Sequence, residues 1–285
     1  MKRIILPVLG AVLLTACSGP SPAAAPSTAP PPGVSVFLTQ QRSDEPLHAL
    51  EISVRNATDT PVYIADVQLV TASFKTLPPE KIDTTFPRTE QTDLRVPYGE
   101  AQCDPQAVPP VQPATVTANV RTGDEPLRKV VFQVPHPDPL LTRLLKAECS
   151  AFLVKAAATF SWGTSWKRAG EFLRGEVTLT RQPGSTRKVT LRTIDATTHY
   201  TVRRVSGGEP WAVLEPSQQS VSVPVEINPS RCDGHAFAEA KKANLFPFRA
   251  SLDQDEERVV IVVPPKEVQV AFNLYAVKAC GVGVG

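Results

Sequence analysis

The sequence is poor in methionine and histidine, and its net charge is small. It contains one Met and four His among 285 residues. A single Met excludes the thioether-rich copper site of some exported metallochaperones. The formal net charge is only +2, which excludes binding of a polyanion by bulk electrostatics.

Enzyme motifs are also missing from the sequence. There is no G-x-S-x-G nucleophile elbow, no H-E-x-x-H zinc motif and no Gly-rich phosphate loop. Asp and Glu are numerous, so a catalytic carboxylate pair stays open as an alternative. The sequence therefore predicts a protein that is not an enzyme and has no cofactor.

Proline is the residue in excess. The chain has 29 Pro, about twice the roughly 5% average, which argues against a helical bundle and favours many short strands joined by turns. Hydrophobic residues at 42% and charged residues at 20% are typical of a chain that buries a core. Disorder over the whole length is thereby excluded.

The N-terminus has the pattern of an export signal. Lys2 and Arg3 precede an apolar stretch from Ile4 to Leu14, which is too short to span a bilayer of about 30 Å. The next residues, Leu-Thr-Ala-Cys17, resemble a bacterial lipobox. The resemblance implies that residues 1–16 are removed and that Cys17 receives a diacylglycerol.

The lipobox implies a protein held by lipid on the outer face of the cell membrane. The alternative is an ordinary secreted protein in which Cys17 is incidental. Loss of Lys2 and Arg3 leaves 28 basic and 28 acidic residues, so we expect no nucleic acid partner and no strong attraction to an acidic membrane surface. Residues 17–33 comprise Cys17 and a stretch rich in Pro and Ala, and they read as an extended tether.

Beyond Gly33 the chain looks duplicated. Three pairs of segments resemble each other in the same order: those that begin at Val34 and Val177, those that end at Pro105 and Gly234, and those that begin at Val120 and Arg249. We therefore predict two domains, residues 34–165 and 172–285.

The four remaining cysteines fall in register with this repeat. Cys103 and Cys149 are 46 residues apart, and Cys232 and Cys280 are 48 apart. An even number of cysteines outside the cytoplasm is typical of disulfides. Repeat symmetry predicts the pairs Cys103–Cys149 and Cys232–Cys280.

Alternation of apolar and polar residues predicts β-strands in both copies, for example in residues 50–56 and 115–120. Units of this size with strands every 10–15 residues favour an all-β fold of two tandem immunoglobulin-like sandwiches. One short helix is predicted in the second copy at residues 235–242, with Asp233 as its N-cap.

The same segment supports a family resemblance. Arg-Cys232-Asp233-x-His235-Ala-x-Ala-Glu239-x-Lys is similar to a segment of uncharacterised secreted lipoproteins of actinobacteria, and this implies a family but no activity. Asp233, His235 and Glu239 are weak candidates for metal ligands. In the alternative interpretation Asp233 caps the helix and His235 pairs with Glu239 on the surface.

Trp162 and Trp166 are candidates for an exposed platform that binds a sugar or a peptide. The alternative is that both pack between the domains or against the first core, since Trp is usually buried.

Two functions therefore remain. The first is a non-enzymatic binding or scaffold protein whose partner is a cell-envelope protein or glycan. The second is an exported metal-binding protein or hydrolase with a site around Asp233, His235 and Glu239.

Overall fold

The computed structural model describes residues 27–233 and 242–281. In this part of the chain, four antiparallel sheets and two α-helices form the fold, which confirms the predicted all-β class. The first half contains β1 (Val34–Thr39), β2 (Ala49–Asn56), β3 (Val62–Thr71), β4 (Glu80–Phe86), β5 (Thr89–Pro97), β6 (Ala114–Thr122), β7 (Arg128–Gln133) and helix α1 (Pro139–Ala157). The second contains β8 (Ala158–Trp162), β9 (Lys167–Ala169), β10 (Phe172–Arg181), β11 (Val189–Ile194), β12 (Tyr200–Arg204), β13 (Ala212–Leu214), β14 (Ser220–Pro229), β15 (Phe246–Leu252), β16 (Arg258–Val262) and helix α2 (Lys266–Ala279).

Strands β1–β7 form the first sandwich. One sheet has the order β1-β2-β5 and the other β4-β3-β6-β7. The alternating sequence of β6 turns Val116, Ala118 and Val120 into the core, where each is at most 2% exposed. The apolar face of each sheet is thus buried against the other, as the period of two in the sequence requires.

Strands β8–β16 form the second sandwich with the same plan. Its sheets have the orders β12-β14-β10-β8 and β13-β11-β15-β16. Strands β8, β10 and β14 therefore correspond to β1, β2 and β5, while β13, β11, β15 and β16 correspond to β4, β3, β6 and β7. Strands β9 and β12 are additions to the second sandwich.

This correspondence corrects the predicted alignment of the repeats and the predicted boundary. The segment at Val34 matches β8, which begins at Ala158, and not the segment at Val177, so the alignment was wrong by one strand. Phe160 and Trp162 on β8 are buried in the second core. The predicted limits at 165 and 172 therefore fall inside the second sandwich, because β8 pairs with β10.

The two sandwiches meet in helix α1. Asp138 caps this helix by accepting a hydrogen bond from the Leu141 N–H at 2.9 Å, and the last helical residue, Ala157, continues directly into β8. The N-terminal part, with Leu145, packs in the first core, whereas the C-terminal part, with Leu153 and Val154, packs in the second. One helix therefore contributes to both cores.

Neither helix was predicted from the sequence. Helix α1 contains Cys149, and helix α2 stops just before Cys280. The helix predicted at residues 235–242 lies outside the described residues except for Lys242. In the described part of the chain, one long helix follows the last strand of each sandwich.

The end of the predicted tether lies against the first sandwich. The N–H of Val131 on β7 donates to the Thr28 carbonyl at 2.8 Å, and Arg128 Nη1 donates to the carbonyls of Ser27 and Ala29. Because β7 is an edge strand, this segment covers backbone groups that would otherwise face solvent. Residues 27–29, at the end of the predicted tether, therefore belong to the folded body.

Candidate functional site

Both predicted disulfides are present in the structure. Cys103 is bonded to Cys149 and Cys232 to Cys280, with Cα atoms 5.2 Å apart in each pair. The first bond joins the segment after β5 to helix α1, and the second joins the segment after β14 to the end of α2. Each disulfide thus attaches a helix to its sandwich, and both pairs have a structural role.

Trp162 and Trp166 do not form an exposed platform. Trp162 is 4% exposed, and its ring lies 4.6 Å from that of Phe246 and 5.8 Å from that of Phe272. The indole of Trp166 donates to the Gly163 carbonyl at 2.7 Å. It also covers Gly175, where a Cβ would lie 2.5 Å from the ring. Of the two interpretations, the exposed platform is therefore wrong, and both side chains pack within the second sandwich.

The candidate metal ligands are only partly within the described residues. Asp233 is exposed and pairs with Arg231, whose Nε lies 3.0 Å from Oδ2 of Asp233. His235 and Glu239 lie outside the described residues, as does Cys17. Among residues 27–233 and 242–281, no three His, Cys, Asp or Glu side chains are arranged to hold a metal ion.

No helix in the described ranges is long and apolar enough to cross a membrane.

A cluster of titratable side chains that the sequence did not reveal surrounds Glu148 on α1. Its Oε1 accepts hydrogen bonds from the Tyr98 hydroxyl at 3.0 Å and from His48 Nε2 at 3.1 Å. Its Oε2 accepts from the Ala101 N–H at 3.2 Å. Burial raises the pKa of Tyr98 above its ordinary value, with the Glu148 charge as a further cause. These groups bind one another and attach the segment from Tyr98 to Ala101 to helix α1. Their role is therefore structural.

A Ser-x-x-Lys spacing, which sequence reasoning missed, occurs at Ser185–Lys188. In penicillin-binding enzymes this spacing supplies a nucleophile and its partner. Here it lies in the loop between β10 and β11, and Lys188 Nζ is 3.0 Å from a carboxylate oxygen of Glu215. The lysine is committed to an ion pair, so this spacing does not provide an activated serine.

A cleft of about 570 Å³ lies between the two sandwiches. Glu45 and Pro46, in a 3-10 turn before β2, form one wall. The second sandwich contributes the other wall, with residues Ala196, Thr197, Thr198, Lys242, Leu245, Pro247 and Ile261. Ligand sites of this size are commonly apolar and lie at domain interfaces.

Charged residues fix the geometry of this cleft. Lys242 Nζ donates a hydrogen bond to Glu45 Oε2 across it. Ile261 is 45% exposed; Leu47, in the same 3-10 turn as Glu45 and Pro46 but outside the cleft lining, is 60% exposed. The cleft therefore offers apolar side chains to a ligand, with one ion pair that ties its walls together.

Comparisons with known proteins identify no relative of this chain. No protein-family model and no curated protein matches it. Among solved structures, it is similar over 82% of its length to a red sea bream transglutaminase, at 12% identity and a TM-score of 0.25. A secreted serine protease, VesC from Vibrio cholerae (10% identity over 80% of this chain, TM-score 0.20), and the BSP domain of a biofilm-associated protein (7% over 80%, TM-score 0.19) are similar as well.

The chain spans 31% of the transglutaminase, 48% of the protease and 56% of the biofilm-associated chain. At such low TM-scores these similarities carry no inference about activity.

Proposed function

We propose that this protein is a lipid-anchored, extracytoplasmic binding protein of the cell envelope that acts without catalysis. The lipobox at Cys17 and the Pro-rich segment after it support an anchored body on a tether. The two disulfides support an oxidising compartment. The cleft between the sandwiches is the proposed binding site, and its ligand is an apolar segment of a cell-envelope protein.

The observation that carries this proposal is the apolar lining of the cleft. Pro46, Leu245, Pro247 and Ile261 provide hydrophobic surface, and burial of such surface contributes about 25 cal/mol per Å² to binding. Because helix α1 packs in both cores, the two walls are held together. A preformed apolar cleft of this kind binds a ligand with little ordering of the protein.

Crosslinking in intact cells tests the proposal. A photo-reactive residue in place of Pro46 is expected to crosslink one discrete protein, and the added variant Ile261→Asp is expected to abolish this product by placing a charge in the cleft. Val259→Asp is the matched control, because Val259 is 39% exposed on the same face of β16 but does not line the cleft.

The binding role is contradicted if Ile261→Asp and Val259→Asp both abolish the crosslink. It is also contradicted if the photo-reactive residue at position 46 crosslinks no protein. Stoichiometric zinc or copper in the native protein contradicts it as well, since a metal would support a site around Asp233, His235 and Glu239.

The anchor is tested separately. A Cys17→Ala variant is expected to lose labelling by an alkyne fatty acid, which the unchanged protein acquires. A wild-type protein that takes up no label and is released to the medium contradicts the anchor but leaves the cleft proposal standing.

A further inference from the structure

A row of charged side chains crosses the outer face of the sheet β12-β14-β10. Lys167 lies opposite Arg174, Arg174 lies opposite Glu226, and Glu226 lies opposite Arg203. Directly opposite residues share one face of a sheet, and adjacent strands are about 4.8 Å apart. The row therefore extends about 14 Å from Lys167 to Arg203 and runs perpendicular to the strands.

Glu226 positions the two arginines in this row. Arg174 donates from Nε and Nη2 to Oε1 of Glu226 at 3.0 and 2.6 Å, and Arg203 Nε donates to Oε2 at 2.7 Å. The Arg203 guanidinium also lies 3.5 Å from the centre of the Phe172 ring. The Glu226 side chain is 5% exposed, whereas those of Arg174 and Arg203 are 50% and 58% exposed. A buried carboxylate thus holds two solvent-facing guanidinium groups.

Positive charge exceeds negative charge in this row. It contains three cations and one carboxylate, and Glu176 is a second acid two residues from Arg174 on the same strand face. Lys167 and Arg174 lie directly opposite each other. Like charges in this position destabilise a sheet. Among the described residues, no protein acceptor lies against Nη1 of Arg174 or Arg203. An unfavourable local arrangement with unused donors is typical of a functional site.

We propose that this row binds a linear, phosphate-bearing polymer of the cell envelope. Guanidinium groups match the geometry of phosphate oxygens and bind them through charge-assisted hydrogen bonds. A linear polymer can follow the row, whereas a flat membrane would bring its headgroups against Glu176 as well.

The site is distinct from the cleft proposed above. The cleft is lined by Pro247 and Ile261 from the sheet β13-β11-β15-β16, while the row lies on the opposite sheet of the same sandwich. The balanced net charge of the chain gives no sign of it, because the excess charge is local. The two proposals can therefore fail independently.

Binding measurements on the full chain with Cys17→Ser test the proposal, since this change removes any lipid. The probes are short-chain inorganic polyphosphate, orthophosphate, and vesicles that contain phosphatidylglycerol. We expect polyphosphate to bind, orthophosphate to bind much more weakly, and affinity for polyphosphate to fall as salt is added. No binding of polyphosphate overturns the proposal, and so does vesicle binding that equals or exceeds it.

Variants locate the site on the row. Lys167→Gln is expected to weaken polyphosphate binding about tenfold, the effect of one lost charge-assisted hydrogen bond. The triple change of Arg174, Arg203 and Glu226 to Gln is expected to abolish binding, and it leaves no buried charge without a partner. Circular dichroism shows whether this variant is folded.

The matched control is Arg55→Gln, which removes one exposed cation from β2 in the first sandwich. An equal loss of affinity in Lys167→Gln and Arg55→Gln overturns the proposal, because binding would then depend on total charge alone.

Discussion

The two sandwiches join neighbouring loops through different side chains, which lie at the ends of corresponding strands. β2 ends at Asn56 and β10 ends at Arg181. Asn56 Nδ2 donates to the carbonyls of Thr60, Phe86 and Pro87. It therefore joins the loop after β2 to the turn between β4 and β5.

Arg181 joins the corresponding loops of the second sandwich. It is 8% exposed, and its guanidinium donates to the carbonyls of Ser185 and Arg187 in the loop after β10. Three further carbonyls accept from it in the connection from β13 to β14: Leu214, Glu215 and Gln218. No carboxylate accepts from this arginine among the described residues.

Loop length explains the difference between the two side chains. Residues 57–61 connect β2 to β3, and residues 87–88 connect β4 to β5. The corresponding loops of the second sandwich, residues 182–188 and 215–219, are longer. A longer side chain with five donors is needed to reach and satisfy carbonyls in both.

Removal of the Arg181 guanidinium is expected to have the largest effect. Arg181→Met leaves five carbonyls without their donor, and we expect a loss of about 3–5 kcal/mol in the free energy of unfolding. Arg181→Lys keeps the charge, but one ammonium cannot reach both loops, so most of the loss should remain. Urea denaturation measures both. Full stability in the Lys variant would show that charge alone matters here.

Asn56→Ala is expected to have the next largest effect, about 2–3 kcal/mol, because buried backbone acceptors lose their partner. Asn119→Ala is a suitable control in the same sandwich. Its amide donates to Asp66 in a part-buried position, and its loss should cost about 0.5–1 kcal/mol. Equal losses in the two variants would contradict the role given to Asn56.

Buried glutamates provide a third contrast between the sandwiches. Burial and the nearby Asp44 raise the pKa of Glu51, and Arg95 only partly offsets this. The hydrogen bond from Arg174, with a second from Arg203, lowers the pKa of Glu226. Both are compared with an ordinary value of 4.5.

Opposite shifts predict opposite responses to pH. Glu226 contributes stability above pH 4.5 that is lost as the pH falls through its lower folded value. Glu51 binds its proton more tightly when folded, so its contribution becomes unfavourable as the pH rises from 4.5 through its higher folded value. At pH 7, Glu226→Gln should therefore destabilise the protein by about 1–2 kcal/mol, and Glu51→Gln should be neutral or stabilising.

Unfolding measured from pH 3 to pH 7 checks both variants. A loss of stability in Glu51→Gln at neutral pH, equal to that of Glu226→Gln, would contradict the contrast.

The sequence predicted the features that leave a periodic or paired signal. Strand alternation indicated the all-β fold, and the register of the cysteines indicated both disulfides. The same reasoning misplaced the domain boundary, because β8 is short and directly follows helix α1, which was not predicted. The sequence left open whether Trp162 is exposed or buried, because its burial depends on Phe246 and Phe272, more than 80 residues away.

The residues that the sequence did not reveal bind backbone groups or distant strands. Arg181 has only carbonyl partners, which have no signature in a sequence. The charged row from Lys167 to Arg203 exists only because three strand pairings bring its members into one line. The cleft between the sandwiches likewise depends on the packing of helix α1 in both cores. No local sequence pattern predicts this packing.

Helix α1 couples the two sandwiches, and tryptophan fluorescence tests this coupling most directly. The chain has three Trp, and Trp162, Trp166 and Trp211 all pack against the second core. Their fluorescence therefore reports unfolding of the second sandwich alone, while far-ultraviolet circular dichroism reports both. In Asn56→Ala, which changes only the first sandwich, we predict that the fluorescence and dichroism transitions still coincide and shift together to lower urea. A fluorescence transition that stays at its wild-type midpoint, while the dichroism separates into two steps, would contradict the account.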